Sequence, residues 1–162
     1  SKNYKCLDAL INNASILKKM SSINDYDLRS WKKVLNVNLT SAFLLSKYLM
    51  PLMMDSKLPR IIFTSSGVAN KGKAYWGAYS VTKAGIKNLS EILNDELDSL
   101  TNFKVFSFNP KETRTEMRAL AYPAENPSSV KTPDELINYY LWMLSERSTS
   151  SSKTHINFGD EI

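Results

Sequence analysis

Tyr79 and Lys83 are separated by three residues in "AYWGAYSVTKAG", the stretch at residues 74–85. On a helix, positions i and i+4 share one face, so the phenol and the ammonium would be neighbours. Such a phenol can act as a general acid or base, because the cation favours the phenolate and lowers the tyrosine pKa from about 10. A core tyrosine followed by a solvated lysine is the alternative, and about one such pair is expected by chance.

Two other polar residues stand where chemistry could use them. Ser66 follows a predicted buried strand, and Tyr79 begins the next predicted helix 13 residues later. Ligands of open parallel sheets bind at the carboxyl ends of the strands, which is where Ser66 would lie. Asn38 is placed within an apolar helix, where an amide side chain is unfavourable. Asn36 is a competing candidate, and a neighbouring turn could also satisfy Asn38.

The elements that must position these residues alternate along the chain. Four short apolar runs predict strands, at about residues 6–11, 60–65, 103–108 and 155–158. Three longer stretches with an apolar residue every three or four positions predict helices, at about residues 27–53, 79–100 and 134–145. Residues 109–132 contain three prolines and are predicted to be irregular. This alternation predicts an α/β fold with crossover connections and a parallel sheet.

Composition excludes several classes of function. The chain has 162 residues, a net charge of +5 and a pI of about 9.2, but its lysines are dispersed and no nucleic-acid motif accompanies them. Apolar runs are too short for a membrane span, and no signal peptide is evident. The single Cys6 suits the cytoplasm. His155, the only histidine, is predicted to be structural, and no metal site is expected.

Five motifs in a consistent order resemble the classical short-chain dehydrogenase/reductase superfamily. In chain order they read "LDALINNAS", "VLNVNL", "TSS", "YSVTK" and "NPKETRTEM". The segments "WGAY" and "YLWML" are similar, more narrowly, to the bacterial YciK-type branch. Together they are far more specific than the Tyr-x-x-x-Lys pair alone.

The resemblance implies a Rossmann-type, doubly wound parallel sheet and hydride transfer between NAD(P) and a carbonyl or alcohol. In this interpretation Tyr79 is the general acid or base. Lys83 lowers its pKa and binds the nicotinamide ribose, while Ser66 holds the substrate oxygen. Asn38 would hold a water that links Lys83 to solvent.

The same resemblance implies a cofactor site and an assembly. Asn13 and Ala14 would line the cofactor near its ribose, Pro110 would shape the adjoining loop, and Thr115 would contact the nicotinamide carboxamide. Residues 117–131 would occupy the position of the family's substrate lid, but they do not indicate which substrate binds. The helices at 27–53 and 79–100 resemble the pair through which family members form homodimers and homotetramers.

The chain departs from the family pattern in three places. The glycine-rich turn that cradles the cofactor pyrophosphate is absent from the sequence, which resembles the C-terminal two-thirds of one Rossmann domain over residues 1–162. We therefore expect weak or no NAD(P)H binding by the 162-residue chain alone and leave the choice between NAD and NADP open. Ser15 and Lys111 replace family glycines, in turns that other residues tolerate poorly. The rival hypothesis is a non-catalytic remnant, or an oligomerisation scaffold, that cannot hold the cofactor.

Overall fold

A computed structural model describes residues 5–97, 99–100 and 102–162, and within these ranges one sheet has four strands. The strands are β1 (Ala9–Asn12), β2 (Arg60–Thr64), β3 (Lys104–Asn109) and β4 (His155–Asn157). They lie side by side in chain order, and every neighbouring pair is parallel. The predicted parallel α/β sheet is therefore confirmed.

The two central strands carry the core because both of their faces are covered. Ile61, Ile62 and Phe63 of β2 have no exposed surface, as expected for a parallel strand buried on both sides. Ile61 and Phe63 pack with the helices on one face of the sheet. Ile62 packs on the opposite face with the C-terminal part of the chain. The core thus has two layers, one on each side of the sheet.

Five α-helices in the described part of the chain connect these strands. They are α1 (Leu28–Leu35), α2 (Ser41–Met53), α3 (Gly77–Glu96), α4 (Glu116–Ala121) and α5 (Ile137–Leu144). Apolar side chains of α2 and α3 cover one face of the sheet, whereas those of α5 cover the other. Among the described helices, none is both long enough and apolar enough to cross a bilayer.

The predicted helix at 27–53 is interrupted by one wider turn. Residues Asn36–Thr40 form a π-helical segment between α1 and α2, in which the Ser41 amide donates to the Asn36 carbonyl five residues back. The Ser41 hydroxyl also donates to the Val37 carbonyl, at 2.7 Å. The side-chain bond of Ser41 competes with the ordinary helical ladder, so apolar periodicity alone does not reveal the turn.

Three other predicted boundaries are corrected. The helix predicted at 79–100 runs from Gly77 to Glu96; it ends earlier because Leu97 leaves helical geometry while its side chain stays in the core, and residue 98 lies outside the described ranges. The helix predicted at 134–145 begins as a 3₁₀ turn, Pro133–Leu136, before α5. The supposedly irregular residues 109–132 contain α4, whose N-cap Thr115 accepts from the Arg118 amide at 3.1 Å.

Arg60 joins the start of β2 to the end of α5. Its side chain is fully buried, and burial lowers its pKa. Its guanidinium donates to the carbonyls of Pro59, Asn102, Met143 and Ser145 and to the Thr149 hydroxyl. Two of these carbonyls belong to the end of a helix, where backbone acceptors lack partners within the helix. Sequence periodicity does not predict this role, because an arginine at the start of a strand is normally expected to be exposed to solvent.

Candidate active site

The carboxyl ends of β1, β2 and β3 open into a cleft of about 720 Å³. Of the residues that the sequence predicts for the site, those lining this cleft are Asn13, Ala14, Ser66, Tyr79, Lys83, Pro110 and Thr115. Asn38 is the exception and lies behind the cleft. Residues from four separate segments thus converge at the sheet edge where parallel α/β proteins bind ligands.

Tyr79 lies in the first turn of α3 and is only 8% exposed. Burial raises the pKa of Tyr79, because a phenolate is poorly stabilised away from water, and a hydrogen bond with the Ser66 side chain partly opposes this rise. The expectation that Tyr79 has a lowered pKa is therefore wrong for the chain alone. At neutral pH the phenol is protonated and can serve as a proton donor.

Lys83 stands beside the Tyr79 ring, one helical turn further along α3. Its Nζ donates to the Thr64 carbonyl oxygen at 2.6 Å and lies 5.5 Å from the centre of the Tyr79 ring. Burial lowers the pKa of Lys83 to about 8, so most of the side chain is still cationic at neutral pH. Because the Thr64 carbonyl accepts this hydrogen bond, the ammonium is held beside the ring.

Asn38 connects the π-helical segment to the chain after β1. Its Oδ1 accepts from the Ile16 amide at 2.8 Å, while its Nδ2 donates to the Ile16 carbonyl at 3.0 Å and to the Thr82 hydroxyl at 3.3 Å. The side chain is thus occupied by protein partners. These bonds are of the kind that the neighbouring-turn alternative describes, and the expectation that Asn38 holds a water stays a prediction.

A small second cavity joins Asn38 to Lys83. It measures about 50 Å³, and Thr64, Ser41 and Asn12 also line it. Both polar side-chain atoms of Asn12 are buried without a hydrogen-bond partner. A cavity of this size has room for a few water molecules and offers them several polar groups. It therefore provides a polar space directly behind Lys83.

The segments that follow β1 and β3 complete the lining of the cleft. Asn13 accepts from the Thr64 hydroxyl at 2.9 Å, which fixes its amide at the cleft. Pro110 and Thr115 lie across from it, and the Thr115 hydroxyl also caps α4. Lys111 adopts φ of 53°, the left-handed conformation that a glycine would take without strain. Ser15, in contrast, does not have a positive φ, although its hydroxyl is buried without a partner.

Sequence reasoning missed an aromatic and charged cluster at the rim. Trp76 packs against Tyr79 on one side and Tyr122 on the other, with ring centres 5.5 and 6.1 Å away. Arg118 lies 3.9 Å from the centre of the Tyr122 ring and forms two hydrogen bonds with the Glu125 carboxylate. The aromatic run before Tyr79 was the available signal, but sequence does not show that α4 brings Tyr122 to it.

The donor set fits the nicotinamide half of an NAD(P) molecule. The cleft places amide, hydroxyl and ammonium groups around an apolar space, which is the chemistry needed to hold a flat polar ring and a ribose. The five glycines of the sequence lie at positions 67, 72, 77, 85 and 159, and no three of them have the close Gly-x-x-x-Gly-x-Gly spacing of a pyrophosphate cradle. Among the described residues, no three His, Cys, Asp or Glu side chains are grouped to hold a metal ion.

Comparison with known proteins agrees with this geometry. Residues 1–126 match the family model described as short chain dehydrogenase. An uncharacterized oxidoreductase of Escherichia coli K12, YciK, is 35% identical over 156 residues, covering 96% of this chain and 60% of its own length.

Two solved structures are similar over almost the whole chain. A short-chain dehydrogenase of Shigella flexneri 2a, complexed with NADP, is 32% identical with a TM-score of 0.93, covering 98% of this chain and 66% of its own. One from Escherichia coli CFT073, complexed with NADPH, is 34% identical with a TM-score of 0.91, covering 96% and 64%. The chain spans about three-fifths of the length of these relatives, and it belongs to the short-chain dehydrogenase family.

Proposed function

We propose that this chain carries the reacting half of an NAD(P)-dependent oxidoreductase, which interconverts a carbonyl compound and an alcohol. The observation that carries the proposal is the convergence of Ser66, Tyr79 and Lys83 at the cleft beyond β2. Relatives complexed with NADP and NADPH support a nicotinamide cofactor. A cytoplasmic location is part of the proposal. The free thiol of Cys6 supports it, because cysteines stay reduced in the cytoplasm.

Tyr79 is the proton donor for carbonyl reduction. A bound reduced nicotinamide would supply a hydride to the carbonyl carbon. The Tyr79 hydroxyl gives its proton to the carbonyl oxygen, and Ser66 donates a hydrogen bond that holds this oxygen against the phenol. The phenolate that remains is stabilised by the nearby Lys83 ammonium.

The proton lost by Tyr79 must be replaced after each reaction. Lys83 lies between the Tyr79 ring and the small polar cavity, and its pKa of about 8 allows it to lose and regain a proton near neutral pH. Asn38 would hold a water that links Lys83 to solvent, since both residues line the same small cavity. In the alcohol-oxidising direction Tyr79 must first become a phenolate, so its raised pKa favours alkaline conditions for oxidation.

The cofactor would bind in the cleft beside Tyr79 and Lys83. Asn13 and Ala14 would line its ribose, and Lys83 would donate to the ribose hydroxyls. Pro110 would form the wall beside the nicotinamide, and Thr115 would contact the carboxamide. These roles rest on family resemblance and on the position of each residue at the cleft.

Copies of the chain would assemble through α1, α2 and α3. Five apolar side chains of α2 are at least 39% exposed: Phe43, Leu44, Leu45, Tyr48 and Leu52. Lys47 is the only charged residue of that helix. So much exposed apolar surface on one helix is typical of an interaction site and supports a homodimer or homotetramer. The same surface favours the rival hypothesis of a scaffold without catalysis.

Turnover separates the enzyme from the scaffold. Recombinant protein carrying this chain would be mixed with NADH or NADPH and a panel of ketones and aldehydes, and nicotinamide oxidation would be followed by absorbance. We expect carbonyl-dependent oxidation of one of the two cofactors. Assembly without cofactor binding or turnover, across the panel, would contradict the proposal and support the scaffold.

A further inference from the structure

The indole of Trp76 is fixed by its backbone and by its neighbours. Tyr75 before it has φ of 71° and Gly77 after it has φ of 30°, so the chain makes an unusual turn on both sides of the indole. A Cβ at Gly77 would lie 2.4 Å from the Tyr26 ring, so this close approach requires glycine. Strained backbone persists only where surrounding structure holds it, and here it holds one side chain at the cleft.

Trp76 also belongs to a cluster of tilted aromatic rings that continues from the catalytic helix to the lid. Its ring is inclined by 55° to Tyr79 and by 44° to Tyr122. Lys73 donates to the Tyr122 hydroxyl at 2.8 Å, and Arg118 covers the Tyr122 ring. Because the Glu125 carboxylate neutralises Arg118, this cation supports the lid and is not free to bind an anionic substrate.

The remaining surface of Trp76 lines the cleft beside Tyr79. Met117 and Ala121 of α4 continue this wall, whereas Ser66 marks the polar end where a carbonyl oxygen would be held. A carbonyl group between Ser66 and Tyr79 therefore places one of its two substituents near the indole. Aromatic rings at such contacts gain about 2- to 12-fold in binding beyond the area they bury.

We propose that Trp76 determines specificity by favouring carbonyl substrates that carry a planar, unsaturated group next to the carbonyl carbon. This inference rests on the proposed function, since it assumes that the carbonyl is held by Ser66 and Tyr79. Trp76 is pre-organised by the strained turn and by its contact with Tyr122, so little freedom is lost when a flat group binds against it.

Two ketones of matched size test the inference. Acetophenone carries a flat ring and cyclohexyl methyl ketone carries a saturated one that buries at least as much apolar surface. Their dissociation constants would be measured by ligand-observed NMR on the 162-residue chain, with and without NADPH. We expect acetophenone to bind about 2- to 12-fold more tightly. Trp76→Phe should keep the preference, whereas Trp76→Leu and Trp76→Met should remove it.

Controls separate this inference from the proposed function. Leu120→Ala changes a lid residue that is 73% exposed and should leave the preference unchanged. Equal affinities, no binding of either ketone, or a preference that persists in folded Trp76→Leu and Trp76→Met would overturn the inference. An aryl preference without turnover would count against the proposed function and leave the role of Trp76 intact.

Discussion

At the scale of single residues, the site depends on a lysine buried beside a tyrosine. Lys83 is 3% exposed, and burial lowers its pKa to about 8 from an ordinary 10.5. A pKa of about 8 keeps the side chain mostly cationic at neutral pH, and the ammonium donates a hydrogen bond to the Thr64 carbonyl. Burying this ammonium lowers the stability of the folded chain, because a charged group is less well solvated away from water. Such a cost is common where a site needs a buried charge.

Replacing Lys83 should reveal this cost as a pH dependence. Between about pH 8 and 10.5 the unfolded chain binds the Lys83 proton and the folded chain does not, so the stability of the wild type rises with pH. Relative to Lys83→Met, the wild-type free energy of unfolding should increase by about 3 kcal/mol from pH 7 to 10.5. Urea unfolding at several pH values measures this difference. A gap that stays constant would contradict the buried ammonium, and Lys87→Met, at an exposed bond to Asn70, is the control.

The positions of these residues could be predicted from the sequence, but their electrostatics could not. Tyr79 and Lys83 were predicted as neighbours because helical spacing fixes which side chains share a face. Their electrostatics could not be predicted, since the raised pKa of Tyr79 comes from burial that only the folded structure defines. Asn38 was selected correctly as unusual within an apolar helix, but its partner Ile16 lies 22 residues away and left no signal in the sequence.

At the scale of elements, α3 places the site because it begins in a strained turn. The sequence predicted this helix from its apolar periodicity but started it at Tyr79, two residues too late. The missing information was tertiary, because the conformation of Gly77 follows from its contact with Tyr26. The sequence analysis also missed α4. Its N-cap Thr115 followed by the acidic Glu116 is a local pattern that could have been recognised.

Adding a methyl group at Gly77 should disrupt this turn. Gly77→Ala combines a positive φ with a Cβ 2.4 Å from the Tyr26 ring, and we expect a loss of about 2 kcal/mol or more in stability. Gly67→Ala is the matched control, because its Cβ would meet no atom within 4 Å. Thermal or urea unfolding compares the two variants. Equal stabilities of both would show that the turn tolerates a side chain.

Arg60 should be the strongest link between β2 and α5. Arg60→Met leaves several buried carbonyls without a donor, and we expect it to lower the free energy of unfolding by about 3 kcal/mol. Lys104→Met, in the neighbouring strand, removes one side-chain bond to a carbonyl and should cost less than about 1 kcal/mol. Urea unfolding would measure both. A change below 1 kcal/mol for Arg60→Met would contradict its role as a link.

At the scale of the whole molecule, the candidate active site and the proposed interface lie on different surfaces. The cleft lies at the carboxyl ends of the strands, whereas the exposed apolar side chains of α2 lie on the outside of a helical layer. Alternating strands and helices predicted this arrangement, because each element must bury its apolar side against the same sheet. Copies could therefore associate through α2 without obstructing the cleft.

Charging the exposed face of α2 should dissociate the assembly. Phe43→Lys combined with Leu52→Lys introduces two cations at positions 45% and 48% exposed, which should leave the fold intact and disfavour apolar association. Light scattering should give a dimer or tetramer for the wild type and a monomer for this variant. Leu120→Lys, on α4, should not change the mass. A wild-type monomer at high concentration would contradict the proposed interface.

The most direct test of the central claim is the rate of carbonyl reduction after removal of one oxygen atom. Tyr79→Phe keeps the ring that packs against Trp76 and deletes only the hydroxyl that donates the proton. We predict a loss of at least about 100-fold in kcat with unchanged cofactor affinity, while Tyr48→Phe, on the surface of α2, keeps wild-type activity. Turnover of Tyr79→Phe within a few-fold of wild type would contradict the assignment of Tyr79 as the proton donor.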